Sequence, residues 1–128
     1  MKILGVGVDI IKNNRLKILT RKKKFIFRTF TKNEINFSKK KKTKISFFAK
    51  RFAAKESFSK SLGTGIRDNL NFNDIEILND KLGKPYFLKT KKIDNLIYKK
   101  FKVKKYKLYL SISDEKDYSI AFTIIQKQ

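Results

Sequence analysis

The chain of 128 residues contains no histidine, no cysteine and no tryptophan, and it has a single proline. Without an imidazole or a thiol, it cannot use a histidine base, a cysteine nucleophile, a disulfide framework or a zinc site. It also lacks a glycine/serine-rich or proline-rich linker. We therefore expect a single domain over residues 1–128, whose chemistry must come from carboxylates, lysine, arginine, hydroxyl groups and the backbone.

Long apolar runs are missing as well. No apolar segment approaches the roughly 20 residues that a bilayer-spanning helix needs. The apolar start of the chain is interrupted by glycines and by Asp9, and it lacks the basic, apolar and small-residue regions of a signal peptide. The sequence therefore predicts a soluble, cytoplasmic protein with no membrane partner.

Positive charge is what the chain has in excess. There are 33 lysines and arginines against 11 aspartates and glutamates, which gives a formal net charge of +22. Such an excess favours a polyanionic partner, whether nucleic acid, an anionic membrane or an acidic protein. A genome rich in A and T is an alternative cause, because the abundant Lys, Asn, Ile and Phe have A- and T-rich codons. The distribution of the charge is therefore more informative than its total.

The first half of the chain is predicted to be a strand followed by helices. The opening apolar, β-branched segment is typical of a buried strand. Residues 12–28 are basic, with apolar residues spaced for one or two short helices, and Thr31 with Glu34 forms the capping box of another. The strongest helical pattern runs from about 44 to 62, where Gly63 is expected to end the helix.

The second half is predicted to hold two β-hairpins separated by a helix, because it alternates between period-2 and helical spacing of apolar residues. The segments are strands at 75–78 and 86–88, a helix at 91–102, and strands at 106–113 and 118–125. The predicted order is therefore β-α-α-α-β-β-α-β-β. This order indicates an α+β fold in which an antiparallel sheet packs against helices.

Two acidic residues differ from the rest. Asp9 lies among apolar residues of the first strand, where an unpaired carboxylate is costly, so it requires a partner or a metal ion. Glu56 is the only acid on a basic helical surface. Two isolated carboxylates suit Mg²⁺, which keeps water ligands and takes others from substrate phosphates. In the alternative interpretation, Asp9 accepts an ordinary hydrogen bond and Glu56 pairs with Lys60 one helical turn away.

The segment around Glu56 resembles a known signature. Residues 51–66, RFAAKESFSKSLGTGI, are similar to the signature of the bacterial 4'-phosphopantetheinyl transferases of the holo-[acyl-carrier-protein] synthase type. The resemblance covers nearly the whole chain and is weakest between Lys91 and Lys105. Further matching segments, in the order of that family, are Gly5–Ile10 with Arg15, Phe30–Glu34, Gly83–Pro85 and Leu110–Ser113.

The resemblance implies that family's fold and reaction. These enzymes transfer the phosphopantetheine arm of coenzyme A to a serine of apo acyl carrier protein in fatty acid biosynthesis, releasing adenosine 3',5'-bisphosphate. By position, Asp9 and Glu56 would be the Mg²⁺ ligands, and Glu56 and Lys60 would be catalytic. The serine proton would pass to Glu56 or to a metal-bound water. The residues implied for coenzyme A are Arg51, Lys55, Lys60, Gly63, Thr64, Gly65, Lys84 and Pro85.

The resemblance also implies protein partners. Acyl carrier proteins are strongly acidic, and the residues implied for docking them are Arg15, Arg21, Lys24, Phe25 and Arg28. The family further implies a homotrimer with active sites between protomers, and no nucleic-acid partner. One departure is Asp114, which stands where many members have a histidine and which is otherwise a turn residue.

A different class of function is the rival hypothesis. A basic, non-enzymatic RNA-binding module would use lysines for phosphate contacts and the interleaved phenylalanines and tyrosines for stacking. Such a module would explain the charge. It would not explain the positions of Asp9 and Glu56.

Overall fold

The computed structural model describes residues 1–66 and 70–128. Within these ranges, five strands, five α-helices and a short 3₁₀ turn follow one another. The elements are β1 (Lys2–Lys12), α1 (Asn13–Leu19), α2 (Lys23–Thr29), α3 (Lys32–Ser38), α4 (Lys44–Leu62), the 3₁₀ turn (Phe72–Asp74), β2 (Ile77–Asn79), β3 (Pro85–Phe87), α5 (Lys91–Phe101), β4 (Tyr106–Asp114) and β5 (Tyr118–Lys127).

All observed strand pairs in these ranges are antiparallel. One sheet has the order β1-β5-β4 and the other consists of β2 and β3. The first and last strands pair from Lys2 opposite Lys127 to Lys12 opposite Tyr118, with one shift of register between Ile3 and Gly5. The predicted α+β class, with antiparallel strands packed against helices, is confirmed.

The order of elements differs from the prediction by one helix. Four helices, not the three of the predicted order, precede β2, because the basic segment 12–28, expected to hold one or two short helices, holds two, α1 and α2. The division falls at Thr20, whose Oγ donates to the Leu16 carbonyl at 2.6 Å and so closes the last turn of α1. The backbone then continues through tight turns, with the N–H of Arg21 bonded to Ile18 and that of Lys22 to Leu19.

Local capping signals fix the helices that flank the site. Thr31 and Glu34 form the predicted capping box, with hydrogen bonds of 3.2 and 3.0 Å in the two directions. Helix α4 spans the predicted residues, and Gly63 ends it with φ 77°. Glycine adopts this left-handed conformation without strain. The N–H of Gly63 donates to the Lys60 carbonyl at 2.9 Å and so closes the last turn of the helix. Both capping predictions are confirmed.

Strand β1 lies against α4 so closely that two positions exclude a side chain. A Cβ on Gly5 would lie 2.0 Å from the carbonyl oxygen of Ser61, and one on Gly7 would lie 1.9 Å from that of Ser57. Glycine allows this approach of two backbones. Asp9 is the next residue on the same face of β1, so the contact places its side chain beside the middle of α4.

The hydrophobic core surrounds α4, which buries Phe48, Phe52 and Phe58 against the helices and both sheets. The opposite face of the β1-β5-β4 sheet is apolar but exposed. Its exposed apolar side chains lie in register across the three strands and are Val6, Val8, Ile10, Tyr109, Ile120 and Phe122. No helix in the described ranges is both long enough and apolar enough to cross a bilayer.

Candidate active site

Asp9 and Glu56 come together although they are far apart in the sequence. Asp9 Oδ1 accepts a hydrogen bond from Lys60 Nζ at 3.1 Å, and the same ammonium group donates to the Val8 carbonyl at 3.1 Å. Glu56 precedes Lys60 by one helical turn and therefore lies on the same face of α4. Asp9, Glu56 and Lys60 form one group, which we name the carboxylate cluster.

The charge of Asp9 acts on the carboxyl group of Glu56. Burial raises the pKa of the Glu56 carboxyl, and the negative charge of Asp9 raises it further. The positive charges of Lys60 and Arg15 oppose this shift and lower the pKa. Arg15, on α1, is thus close enough to act on the cluster electrostatically. Two mutually repelling carboxylates are stabilised when a cation lies between them.

The chemistry of these donors fits a hard divalent cation. Carboxylate oxygens are preferred ligands of Mg²⁺, and in the described ranges no third acidic residue joins Asp9 and Glu56. The remaining ligands would have to be water or substrate oxygens, as is common for Mg²⁺. The site is also open, since the side chain of Lys60 is 52% exposed and that of Asp9 15%.

Lys55 lies in a different environment from Lys60. Its side chain is fully buried, and its Nζ donates to Glu34 Oε1 at 2.6 Å, to the Thr29 carbonyl at 2.8 Å and to the Phe72 carbonyl at 3.1 Å. Burial lowers the pKa of the Lys55 ammonium, and Glu34 partly offsets that shift. All three ammonium protons are used within the chain. We therefore leave Lys55 out of the proposed coenzyme A site.

Arg51 belongs to a second group, next to the β2–β3 hairpin. It is 5% exposed, its Nη2 donates to Asn79 Oδ1, and its guanidinium carbon lies 4.6 Å from the centroid of the Phe47 ring. Its Nε has no hydrogen-bond partner within the described ranges. Asn79 Nδ2 in turn donates to the Gly83 carbonyl at 2.8 Å. The buried guanidinium is thereby linked to the loop that carries Lys84 and Pro85.

A cavity of about 310 Å³ opens beside Arg51, between α3 and the hairpin. Its lining includes Asn33, Phe37, Lys40, Arg51, Asn79 and Tyr86. Arg51 precedes Glu56 by five residues, which corresponds to roughly 140° around the helix axis. The predicted coenzyme A residues therefore face two directions, and within one chain α4 separates Arg51 and the hairpin loop from the carboxylate cluster.

The glycine loop lies at the end of α4, just after Lys60. Gly63 and Gly65 both have positive φ values, 77° and 73°, and the Gly65 N–H donates to the Ser59 carbonyl at 3.3 Å. No sequence pattern predicted that Lys100 of α5 lies beside this loop. Its Nζ lies 3.8 Å from the point that a Cβ on Gly63 would occupy. This contact joins distant segments, so no local pattern indicates it.

The residues implied for docking a protein partner divide into exposed cations and a packed aromatic ring. Arg15, Arg21, Lys24 and Arg28 are exposed on α1, α2 and the turn between them. Phe25 is only half-exposed, and its ring centroid lies 6.1 Å from that of Phe30 and 6.0 Å from that of Phe52.

Asp114 ends β4 and contacts the start of α4. Its Oδ2 accepts a hydrogen bond from Ser46 Oγ at 3.1 Å. The residue is therefore more than a turn position, since it connects the last hairpin to the long helix. No sequence pattern indicates its pairing with Ser46, which is 68 residues away.

Comparison with known proteins shows which class of protein has this fold and these paired carboxylates. Residues 5–123 match the family model of the 4'-phosphopantetheinyl transferase superfamily. The chain is 54% identical to the holo-[acyl-carrier-protein] synthase of Pelagibacter ubique over 128 residues, which is the full length of both. The chain therefore belongs to the 4'-phosphopantetheinyl transferase superfamily, and within it to the holo-[acyl-carrier-protein] synthases.

Solved structures agree with this placement. The holo-[acyl-carrier-protein] synthase of Neisseria meningitidis has a TM-score of 0.88 and 34% identity, covering 98% of this chain and 100% of that one. The synthase of Bacillus anthracis, solved in complex with coenzyme A (3',5'-ADP), has a TM-score of 0.82 and 36% identity, with 98% of each chain covered. Membership of this enzyme family disfavours the rival RNA-binding module.

Proposed function

We propose that this chain transfers the 4'-phosphopantetheine group of coenzyme A to a serine of apo acyl carrier protein, releasing adenosine 3',5'-bisphosphate. We place this Mg²⁺-dependent reaction in fatty acid biosynthesis in the cytoplasm. The observation that carries the proposal is the carboxylate cluster, in which Asp9 and Glu56 meet beside the exposed cation of Lys60. The names of its relatives agree with this activity.

Asp9 and Glu56 would hold the metal ion. A Mg²⁺ ion held there would supply positive charge for the diphosphate of coenzyme A. Lys60 is half-exposed and, among the residues that the structure describes, donates two hydrogen bonds, so its ammonium can turn from Asp9 to a phosphate oxygen. There it would offset the negative charge of the transition state, which is the main catalytic requirement of phosphoryl transfer.

Glu56 is also our candidate for the proton acceptor. The serine oxygen bonds to the phosphorus that carries the pantetheine arm, while the bond from that phosphorus to the bridging oxygen of the diphosphate breaks. Adenosine 3',5'-bisphosphate leaves, and the serine proton passes to a carboxylate oxygen of Glu56. In the metal-free chain, burial and the charge of Asp9 raise the pKa of this carboxyl group, whereas a bound Mg²⁺ would favour the ionised form that can accept a proton.

Coenzyme A would span both groups of residues. Lys60 and the Gly63–Thr64–Gly65 loop suit the diphosphate end, because glycines let the backbone approach a ligand closely. Arg51, whose Nε has no partner among the residues that the structure describes, and the loop of Lys84 and Pro85 suit the nucleotide end. Since α4 separates the two groups within one chain, we propose that neighbouring chains complete each other's sites.

The exposed apolar face of the β1-β5-β4 sheet supports such an assembly. Contiguous exposed apolar surface marks interaction sites in soluble proteins. We propose a homotrimer, as the family resemblance implies, with this face directed towards the neighbouring protomers. The carrier protein would dock on α1 and α2, where basic residues attract an acidic partner and speed its association.

Incubation of the chain with coenzyme A, Mg²⁺ and several apo carrier proteins tests the activity. We expect intact-mass spectrometry to show one added phosphopantetheine on the carrier and none after chelation of the metal. Asp9→Ala and Glu56→Ala should lose this activity while remaining folded by circular dichroism. Glu115→Ala, which removes an exposed acid elsewhere, is the matched control. No mass gain with any carrier would refute the proposal.

A further inference from the structure

Phe27 is a large apolar side chain that α2 directs into solvent. It is 64% exposed, whereas its neighbours Phe25 and Ile26 are partly buried and pack against the core. The rings of Phe30 and Phe52 hold Phe25 in place. The ring of Phe27 therefore lies in solvent and is not part of the core.

The surroundings of Phe27 are strongly basic. Lys23 and Lys24 precede it by four and three residues and so lie on the same helical face, and Arg28 follows it. All three are exposed. Between Lys12 and Asn33 the chain contains nine lysines and arginines and no acid. The surface thus presents one aromatic ring inside a field of positive charge.

Such a surface fits a partner that is acidic around an apolar patch. Binding energy at protein interfaces is concentrated in a few buried side chains, often aromatic, while the charged surroundings mainly steer association. We propose that Phe27 is the apolar anchor through which this chain binds apo acyl carrier protein, a step that rests on the proposed function. The resemblance gives a docking role to Phe25, but the ring of Phe25 packs against Phe30 and Phe52, so it offers less free apolar surface than the ring of Phe27.

The salt dependence of carrier binding distinguishes the contribution of Phe27 from that of the surrounding cations. Screening shortens the reach of charges from about 10 Å at 0.1 M salt to about 3 Å at 1 M, and it leaves apolar burial intact. The effect of removing Phe27 should therefore be the same at low and high salt. The effect of removing Lys23 and Lys24 should shrink as the salt concentration rises.

The test uses the full chain and the apo carrier protein that it modifies best. For Phe27→Ser we expect the KM for the carrier to rise about 10-fold, or about 1.4 kcal/mol. The kcat and the KM for coenzyme A should stay unchanged. Calorimetric binding of the apo carrier without coenzyme A should weaken by a similar factor. Phe27→Leu, which keeps an apolar side chain, should stay within about 3-fold of the unchanged chain.

Tyr98→Ser is the matched control. Tyr98 is also an exposed aromatic residue, 46% exposed, with the Nζ atoms of Lys102 and Lys104 at 5.8 and 5.9 Å from its ring centroid. It lies on α5, so its loss should not change the carrier KM. An unchanged KM in Phe27→Ser, or an equal rise in Tyr98→Ser, would overturn the inference while the transferase activity stands. Failure of the unchanged chain to modify any carrier would overturn both.

Discussion

Helix α4 carries two lysines that each pair with a carboxylate, and the two pairs differ in almost every physical respect. Lys55 and Glu34 meet at 2.6 Å with both side chains fully buried. Lys60 and Asp9 meet at 3.1 Å, and more than half of the Lys60 side chain is exposed. Because the two lysines are five positions apart on the helix, they differ by roughly 140° around its axis, so that one faces the core and the other faces solvent.

The difference shows how one helix supplies both rigidity and chemistry. Each member of the buried pair is fully hydrogen-bonded, since Glu34 also accepts from the backbone of Thr31 and of Ile77. In the carboxylate cluster, Asp9 and Glu56 repel each other, and only Lys60 has more than half of its side chain exposed. The buried pair of Lys55 and Glu34 therefore stabilises the fold. The carboxylate cluster keeps negative charge that a bound cation can neutralise.

Breaking the buried pair should have the largest effect. We expect Lys55→Met to lower the free energy of unfolding by about 3–5 kcal/mol, because it leaves the Glu34 carboxylate buried without its cation. Urea denaturation measures the loss. Adding Glu34→Gln should recover part of it, since a neutral amide can still accept hydrogen bonds from Thr31 or Ile77. If Lys55→Met alone lowered the free energy of unfolding by less than about 1 kcal/mol, as removal of an exposed ion pair does, this account of the buried pair would be contradicted.

Removing either carboxylate of the cluster should affect activity rather than folding. For Asp9→Asn and Glu56→Gln we expect kcat/KM to fall about 10³-fold, equivalent to roughly 4 kcal/mol. The melting temperature should not fall, because both substitutions keep the shape of the side chain and relieve repulsion. Calorimetric titration with Mn²⁺ should show weakened binding in both. Full activity in either variant would remove that residue from the metal site.

Lys60→Met sharpens the contrast with Lys55→Met. Its effect on the free energy of unfolding should be below about 1 kcal/mol, as is typical of exposed ion pairs. We expect kcat to fall about 10²-fold, or about 2.7 kcal/mol, through loss of the cation that offsets transition-state charge. Parallel urea and kinetic measurements on the two variants test this reversal. Equal losses of unfolding free energy in Lys55→Met and Lys60→Met would contradict the difference between the buried and the exposed pair.

The smallest effect concerns the protonation of Glu56. Without metal, its pKa should lie above the ordinary value of 4.5, because burial and Asp9 disfavour the charged form. Carbon-detected NMR should show a lower pKa in Asp9→Asn and a higher one in Lys60→Met. The folded chain then holds this proton more tightly than the unfolded chain does, so ionisation of Glu56 costs stability.

The sign of that cost can be checked in the metal-free protein. The cost is absent below the ordinary pKa and complete above the raised one. Glu56→Gln should therefore be slightly more stable than the unchanged chain at neutral pH, and the difference should vanish in acid. A pKa at or below 4.5 would contradict the repulsion between Asp9 and Glu56.

Local signals made much of this fold predictable. The bounds of α4, the capping box of Thr31 and Glu34, and the glycine at the end of α4 depend on residues within a few positions of each other. Strand β2 was less predictable. It begins at Ile77, two residues later than expected, because the Ile75 N–H bonds to the Phe72 carbonyl in the 3₁₀ turn.

Contacts between distant residues limited the prediction of the site. The burial of Lys55 depends on Glu34 and on two carbonyls, which the local sequence around Lys55 does not identify. A partial signal existed, since Lys55 follows Phe52 by three residues and Phe48 by seven and so lies on the apolar stripe of the helix. The spatial pairing of Asp9 with Glu56 was expected from unusual charges and the family resemblance, not from any pattern of spacing.

Strand β1 has a consequence for how the enzyme would respond to dilution. Val8 and Ile10 flank Asp9 in the sequence, and alternation sends their side chains to the exposed apolar face while Asp9 points to α4. In the proposed homotrimer, one short stretch of backbone therefore serves both the subunit contact and the metal ligand. Specific activity should decline once the protein is diluted below its association range, and crowding the chains together should restore it.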